Sequence, residues 1–127
     1  MIFIFGGAYQ GKLEYAKERF GGSVYECKDS SPDFSGDIIY HLERFVFACV
    51  KEGVDPWARL KSKEEELKDK VIICDDISQG IVPMDKEERA FREANGRVMI
   101  GMAKQAKEVV RIFCGLAQRL KSGEGSK

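Results

Sequence analysis

Residues 6–13 read GGAYQGKL, and their types and spacing point to phosphate chemistry. Gly6, Gly11 and Lys12 stand in the GxxxxGK spacing of a phosphate-binding loop. Glycines let consecutive backbone N–H groups turn inward around a phosphate, and a following helix adds its positive end. A lysine at position 12 would neutralise β- and γ-phosphate oxygens. Gly6, Gly7, Ala8, Gly11 and Lys12 are therefore the candidate nucleotide-binding residues, with Lys12 acting on the triphosphate. A Ser or Thr normally follows the lysine and holds Mg²⁺; here the residue is Leu13, which has no oxygen to offer a hard cation. Anion binding should survive that change better than Mg²⁺-dependent catalysis. The competing reading is a glycine-rich turn with a surface lysine.

Other reactive residues are spread along the chain. Asp75-Asp76 follows the apolar run VIIC, and Glu26 closes SVYEC, so each carboxylate stands at the end of an expected strand. Asp75 and Asp76 are the candidate Mg²⁺ ligands, with Glu26 as an alternative. His41 is the only histidine. A neutral imidazole can act as a nucleophile, which makes His41 a catalytic candidate beside Lys12 and Asp76. Arg89, Arg92 and Arg97 lie in a polar helical pattern and could offer planar donors to phosphates, or could simply solvate that helix.

The elements that must position these groups follow from periodicity. Met1 to Phe5 reads as a buried strand, and Gly11 to Phe20 as a helix stopped by Gly21-Gly22. Ser23 to Cys27 is a second strand, and KDSSPDFSGD a loop. From Asp37 to Lys51, apolar residues at 38, 39, 42, 45, 46, 49 and 50 make one helical stripe, with His41 at its edge. Asp55-Pro56 starts another helix through WARLKSKEEELKDK. Val71 to Cys74 is a third strand, residues 77–84 a loop, Asp85 to about Lys107 a long helix, and Val109 to Cys114 a fourth strand. This alternation argues for an α/β fold with a mostly parallel sheet and flanking helices. Ligands bind such folds beyond the carboxyl ends of the strands, where both the glycine loop and Asp75-Asp76 fall.

The 127 residues suit one domain, taken as residues 1–121 with a disordered tail at 122–127. The 21 basic and 21 acidic residues balance, which gives no electrostatic case for nucleic acid or an anionic membrane. MIFIF is too short for a secretory h-region, and no run approaches the ~20 apolar residues of a membrane span. The expectation is a soluble, cytoplasmic protein whose Cys27, Cys49, Cys74 and Cys114 are reduced core residues.

A second segment, DDISQGIVPMDKEERAFREANGRV at residues 75–98, carries a more specific signal. With the glycine loop and the later VVRIFCGLAQRLK, it resembles the adenosylcobinamide kinase / adenosylcobinamide-phosphate guanylyltransferase family. The matching features are Asp76, Ser78-Gln79, Gly80-Ile81-Val82-Pro83, then Arg89, Phe91, Arg92 and Gly96-Arg97. The resemblance implies a P-loop NTPase-like three-layer fold. It also implies ATP or GTP as substrate, a corrinoid partner, Mg²⁺ as cofactor, and oligomers. It places the family's acidic residue at Asp76.

The departures are Leu13 in place of the loop serine and Met99-Ile100 in place of Asn-Gln. The central segment that holds the family's guanylylated histidine has no counterpart here. The expected activity is phosphoryl transfer from ATP or GTP to a cobinamide hydroxyl, with guanylyl transfer lost or altered. The alternative is a catalytically degenerate nucleotide- or phosphate-binding regulatory protein of the same fold.

Overall fold

The computed structural model describes residues 1–8, 10–77 and 85–122. The elements run β1 (Ile2–Gly6), α1 (Lys12–Arg19), β2 (Val24–Glu26), β3 (Ile38–Tyr40), α2 (Leu42–Glu52) and α3 (Pro56–Lys61). They continue with α4 (Glu64–Leu67), β4 (Val71–Asp75), α5 (Lys86–Gln105), β5 (Glu108–Phe113) and β6 (Leu116–Lys121). The strands form one sheet in the order β2-β3-β4-β1-β5-β6, parallel except for β6, which runs antiparallel to β5. This is the expected α/β class.

The sheet separates two apolar layers, as the two-residue period of a strand requires. Phe3, Ile39, Ile72, Cys74 and Val109 face α2, α3 and α5, packing against Leu42, Phe45, Val46, Leu60, Val98 and Met102. Their neighbours Ile4, Ile38, Ile73 and Val110 face the other way, onto Ala16 of α1, with Leu13 and Tyr15 packed at the edge. Strands buried on both faces read as unbroken apolar runs, which is why IFIF and VIIC carry no alternation. Burial of one large side chain such as Phe45 contributes roughly 1.5–3 kcal/mol.

Helix starts follow the local chemistry. The Asp55 side chain accepts from the N–H groups of Trp57 and Ala58, with Pro56 in the first helical position. Asp85 and Glu88 form a reciprocal capping box at the head of α5. No helix among the described residues is long and apolar enough to cross a membrane.

Three expectations need correction, and one element was not anticipated. The stretch expected as one helix from Asp37 is a strand, Ile38–Tyr40, followed by a helix that starts at Leu42. His41 sits between them in the left-handed conformation (φ 62°), where the chain turns from strand to helix. The helix after Pro56 divides at Ser62-Lys63, because between Leu60 and Leu67 that segment buries nothing against the core. Residues 116–121, expected as no particular element, form β6, held by pairing with β5 rather than by burial. Cys114 is exposed in the β5–β6 turn, whereas Cys27, Cys49 and Cys74 are buried as expected.

Candidate functional site

Four adjacent strands, β2, β3, β4 and β1, present their carboxyl ends side by side. Glu26 pairs in register with Tyr40, and Gly6 with Asp75. The glycine loop leaves β1 at Gly6 and enters α1 at Lys12, the strand–loop–helix setting expected from the sequence. A Cβ at Gly6 would lie 2.4 Å from the Ile112 carbonyl oxygen, so β5 passes too close for any side chain there. Gly11 caps α1 with φ 90°, a left-handed conformation that suits glycine. The β5–β6 turn braces the loop from outside: Gly115 N–H donates to the Gln10 carbonyl at 3.0 Å, and Cys114 N–H donates to Gln10 Oε1. Tyr9 lies outside the described residues.

Lys12 is only 4% exposed. Its Nζ donates to the Gly7 carbonyl at 2.6 Å and pairs with Asp75 Oδ1 at 2.8 Å. A buried ammonium held this way is not a surface lysine on a turn. Leu13 packs against the α1-side core while also lining the cleft beside Lys12. Its apolar side chain therefore has a structural role at the position where a hydroxyl would stand.

The cleft has a volume of about 220 Å³. Loop residues Ala8, Gln10, Gly11 and Lys12 line one side, Tyr40, His41 and Arg44 line the other, and Asp75 lies between them. A second cleft of about 260 Å³ contains none of these residues; it is lined by Met1, Trp57, Leu67 and Met102, at the amino end of β1.

His41 is thus not on the flank of a helix. It caps α2 at the carboxyl end of β3, and its ring lies 3.8 Å from the Tyr40 ring, centroid to centroid. Its Nδ1 is 2.8 Å from Glu43 Oε2, and its Nε2 is 3.9 Å from Glu26 Oε2. Glu43 is itself 7% exposed, and its other oxygen accepts from the Asp75 N–H at 2.9 Å. Arg44 Nη1 pairs with Glu26 Oε2 at 2.9 Å. One ligand atom each from His41, Glu43 and Asp75 lies within 4.8 Å of the others.

The field here is negative. Burial pushes the Tyr40 phenol up from its usual range, and the charges of Asp75, Glu14, Glu26 and Glu43 push it further. The Cys74 thiol is raised by burial first, then by Glu43 and Asp75.

Of the paired carboxylates, Asp75 lines the cleft and holds Lys12. Asp76 is the next residue, and its N–H donates to the Gly6 carbonyl at 2.8 Å, tying the end of β4 to the loop. Arg89 and Arg92 lie on the first two turns of α5, one exposed and one half-buried, and neither is among the described residues lining the cleft. Arg97 borders a separate groove with Trp57, Ile100 and Lys104. The Ser78–Pro83 loop lies outside the described residues.

Sequence reasoning missed Glu43, Tyr40 and Arg44. Reading residues 37–51 as one helix hid the strand end that places them. The signal for Asp75 was present in VIICD, an apolar run closed by a carboxylate.

The family model for cobinamide kinase / cobinamide phosphate guanyltransferase matches residues 48–120. That match spans more than half of the chain, and the chain belongs to this family. It begins after the glycine loop and after His41, so the geometry of those groups stands on the structure alone. No curated protein matches the chain.

Proposed function

From membership in a family whose substrates are nucleotides and cobinamide, we propose that this protein transfers a phosphoryl group from ATP or GTP to a cobinamide hydroxyl. The observation that carries the reading is the buried Lys12, held on Asp75 and Gly7 at the mouth of a glycine loop. When a triphosphate enters, the Lys12 ammonium exchanges these partners for β- and γ-phosphate oxygens. The loop N–H groups and the start of α1 take the remaining phosphate charge. The acceptor oxygen attacks the γ-phosphorus, the bond to the β–γ bridging oxygen breaks, and the acceptor proton passes to a carboxylate. Asp76 is the residue we assign to orient that hydroxyl, and Arg89 and Arg92, on the first two turns of α5, are the candidates to reach the nucleotide from outside the cleft. A divalent cation such as Mg²⁺, held on the Asp75-Asp76 side, would neutralise charge developing on the phosphates.

The test is turnover with ATP or GTP and cobinamide, read as phosphorylated corrinoid by mass spectrometry. Lys12→Ala should lower the rate at least about 100-fold, since such positioned cations act on charge formed in the transition state. A Lys12→Ala protein that is folded and keeps the wild-type rate would refute the assignment.

Leu13 favours a second reading, a nucleotide-binding regulator, because it fills the hydroxyl position with a packed apolar group. That reading predicts nucleotide binding indifferent to divalent cations and no turnover. Guanylyl transfer is absent or altered on either reading, and a covalent GMP adduct on His41 after incubation with GTP would overturn this.

A further inference from the structure

The loop lacks the hydroxyl that would anchor a hard cation, and three potential ligands stand across the same cleft: His41 on the far wall, Asp75 between the walls, and Glu43 behind His41. They come from three places in the chain: the β3–α2 junction, the first turn of α2 and the end of β4. We infer that His41, Glu43 and Asp75 form a divalent-cation site with one nitrogen and two oxygen donors, and that it selects first-row transition cations over Mg²⁺. For the cation's role in phosphoryl transfer the inference rests on the proposed function; for binding itself it does not.

Three observations support it. First, the donors converge. One donor atom each from His41, Glu43 and Asp75 lies within 4.8 Å of the others, and His41 Nδ1 already hydrogen-bonds Glu43 Oε2 at 2.8 Å, so a small side-chain adjustment brings the three onto one ion. Second, Asp75 already holds a cation, the Lys12 ammonium at 2.8 Å. Its carboxylate thus takes a positive charge in the resting protein, with no nucleotide required. Third, the charges do not balance for an anionic ligand. Among the described residues, Glu14 and Asp75 line the cleft, with Glu43 and Glu26 close behind, and Lys12 and Arg44 are the basic residues lining it. A triphosphate entering among these carboxylates requires added positive charge.

The donor set decides the selectivity. Imidazole suits Zn²⁺ and its first-row neighbours, whereas Mg²⁺ favours an all-oxygen octahedron and gives up its waters reluctantly.

The presence of a single histidine makes the test direct. The tag-free protein, labelled with ¹⁵N and carrying Cys114→Ser to remove the exposed thiol, is titrated with Zn²⁺ and separately with millimolar Mg²⁺. The expected result is a shift of the imidazole nitrogen resonances that is complete near one equivalent of Zn²⁺, and no comparable shift with Mg²⁺. His41→Asn keeps a residue that tolerates φ 62° and removes the imidazole, while Glu43→Gln keeps the shape and removes the charge. Each should weaken Zn²⁺ binding by at least about 100-fold by calorimetry, since even outer-shell partners are worth 10–100-fold. Unmoved resonances, equal shifts with Mg²⁺, or unchanged affinity in His41→Asn would each overturn the site.

Metal-free titration of ATP into the same samples separates this inference from the kinase reading. Zn²⁺ binding without nucleotide binding sinks only the kinase. Nucleotide binding with no response of the imidazole sinks only the cation site.

Discussion

Asp75→Asn should tighten nucleotide binding in the absence of metal, although it removes a residue from the site. In the resting protein Asp75 holds Lys12 at 2.8 Å, with the two side chains 16% and 4% exposed. The proposed binding mode needs that ammonium on phosphate, so the ion pair must open first. A charge-assisted hydrogen bond is worth roughly 1.5–3 kcal/mol net. Because each 1.4 kcal/mol is ten-fold, its loss from the resting state should improve metal-free affinity by about 10- to 150-fold. Removing a carboxylate from beside the phosphates acts in the same direction, which makes ten-fold the lower bound.

The substitution should cost the fold the same roughly 1.5–3 kcal/mol, with Lys12 still held by the Gly7 carbonyl. The assay is calorimetric titration of ATP and GTP in chelator, then with Zn²⁺ or Mn²⁺ present. Any metal-dependent gain in affinity should disappear together with the ligand. An Asp75→Asn protein that melts cooperatively yet binds metal-free nucleotide no better than wild type would refute the exchange of Lys12 between carboxylate and phosphate.

Two further predictions concern the scaffold. Glu108, 6% exposed at the start of β5, accepts from Nη1 and Nη2 of Arg19 on α1 and from Arg119 Nε of β6 at 2.9 Å. Burial alone would raise its carboxyl, but the arginine hydrogen bonds and charges outweigh burial and hold it below the usual carboxylate range. A carboxyl depressed in the folded state contributes stability that is full above its unfolded value near 4.3 and is lost as pH falls through the lower folded value. Glu108→Gln should therefore cost about 1.5–3 kcal/mol at pH 7 and flatten the acid limb of the stability profile, and a variant that keeps the full acid limb would exclude this triad as its source.

The thiols should also divide sharply. Burial holds Cys27 up at about 12 and raises Cys49 and Cys74, whereas Cys114 is exposed. One fast-reacting thiol per chain is expected in native protein at pH 8, and a second would contradict the burial of the other three.

The parts of this protein visible in its sequence are those whose signals are local. IFIF and VIIC are uninterrupted apolar runs, and Asp55-Pro56 and Asp85 carry their own capping chemistry. The segment at 38–50 misleads for a physical reason. Ile38, Ile39, Leu42, Phe45 and Val46 satisfy a helical stripe, yet the first two belong to a three-residue strand, too short to show alternation. What makes it a strand is pairing with β2 and β4, and a sequence does not display those partners. The same error hid the far wall of the cleft. His41 was visible as a reactive residue, but its meeting with Glu43 and Asp75 depends on β3 lying beside β4. β6 was hidden for the opposite reason: LAQRLK is exposed along almost its whole length, so it carries no burial pattern to detect.

Leu13 connects these two halves of the site. On the first turn of α1, a side chain can either reach the phosphates with a hydroxyl or help close the apolar layer formed with Ile4 and Ala16, and here it does the second. Restoring a hydroxyl by Leu13→Ser would expose that layer. By the cost of trimming a large core side chain, it should destabilise the fold by about 1–3 kcal/mol, the lower part of the range because Leu13 is only partly buried. The cation anchor and the lysine thus belong to different walls of the cleft, with Asp75 between them. A charge change at Asp75 should therefore be felt on both sides, whereas Leu13→Ser should alter stability without moving the Zn²⁺ response of His41. If Leu13→Ser instead abolished that response, the two walls would not be separable, and the cation would have to be placed on the loop side.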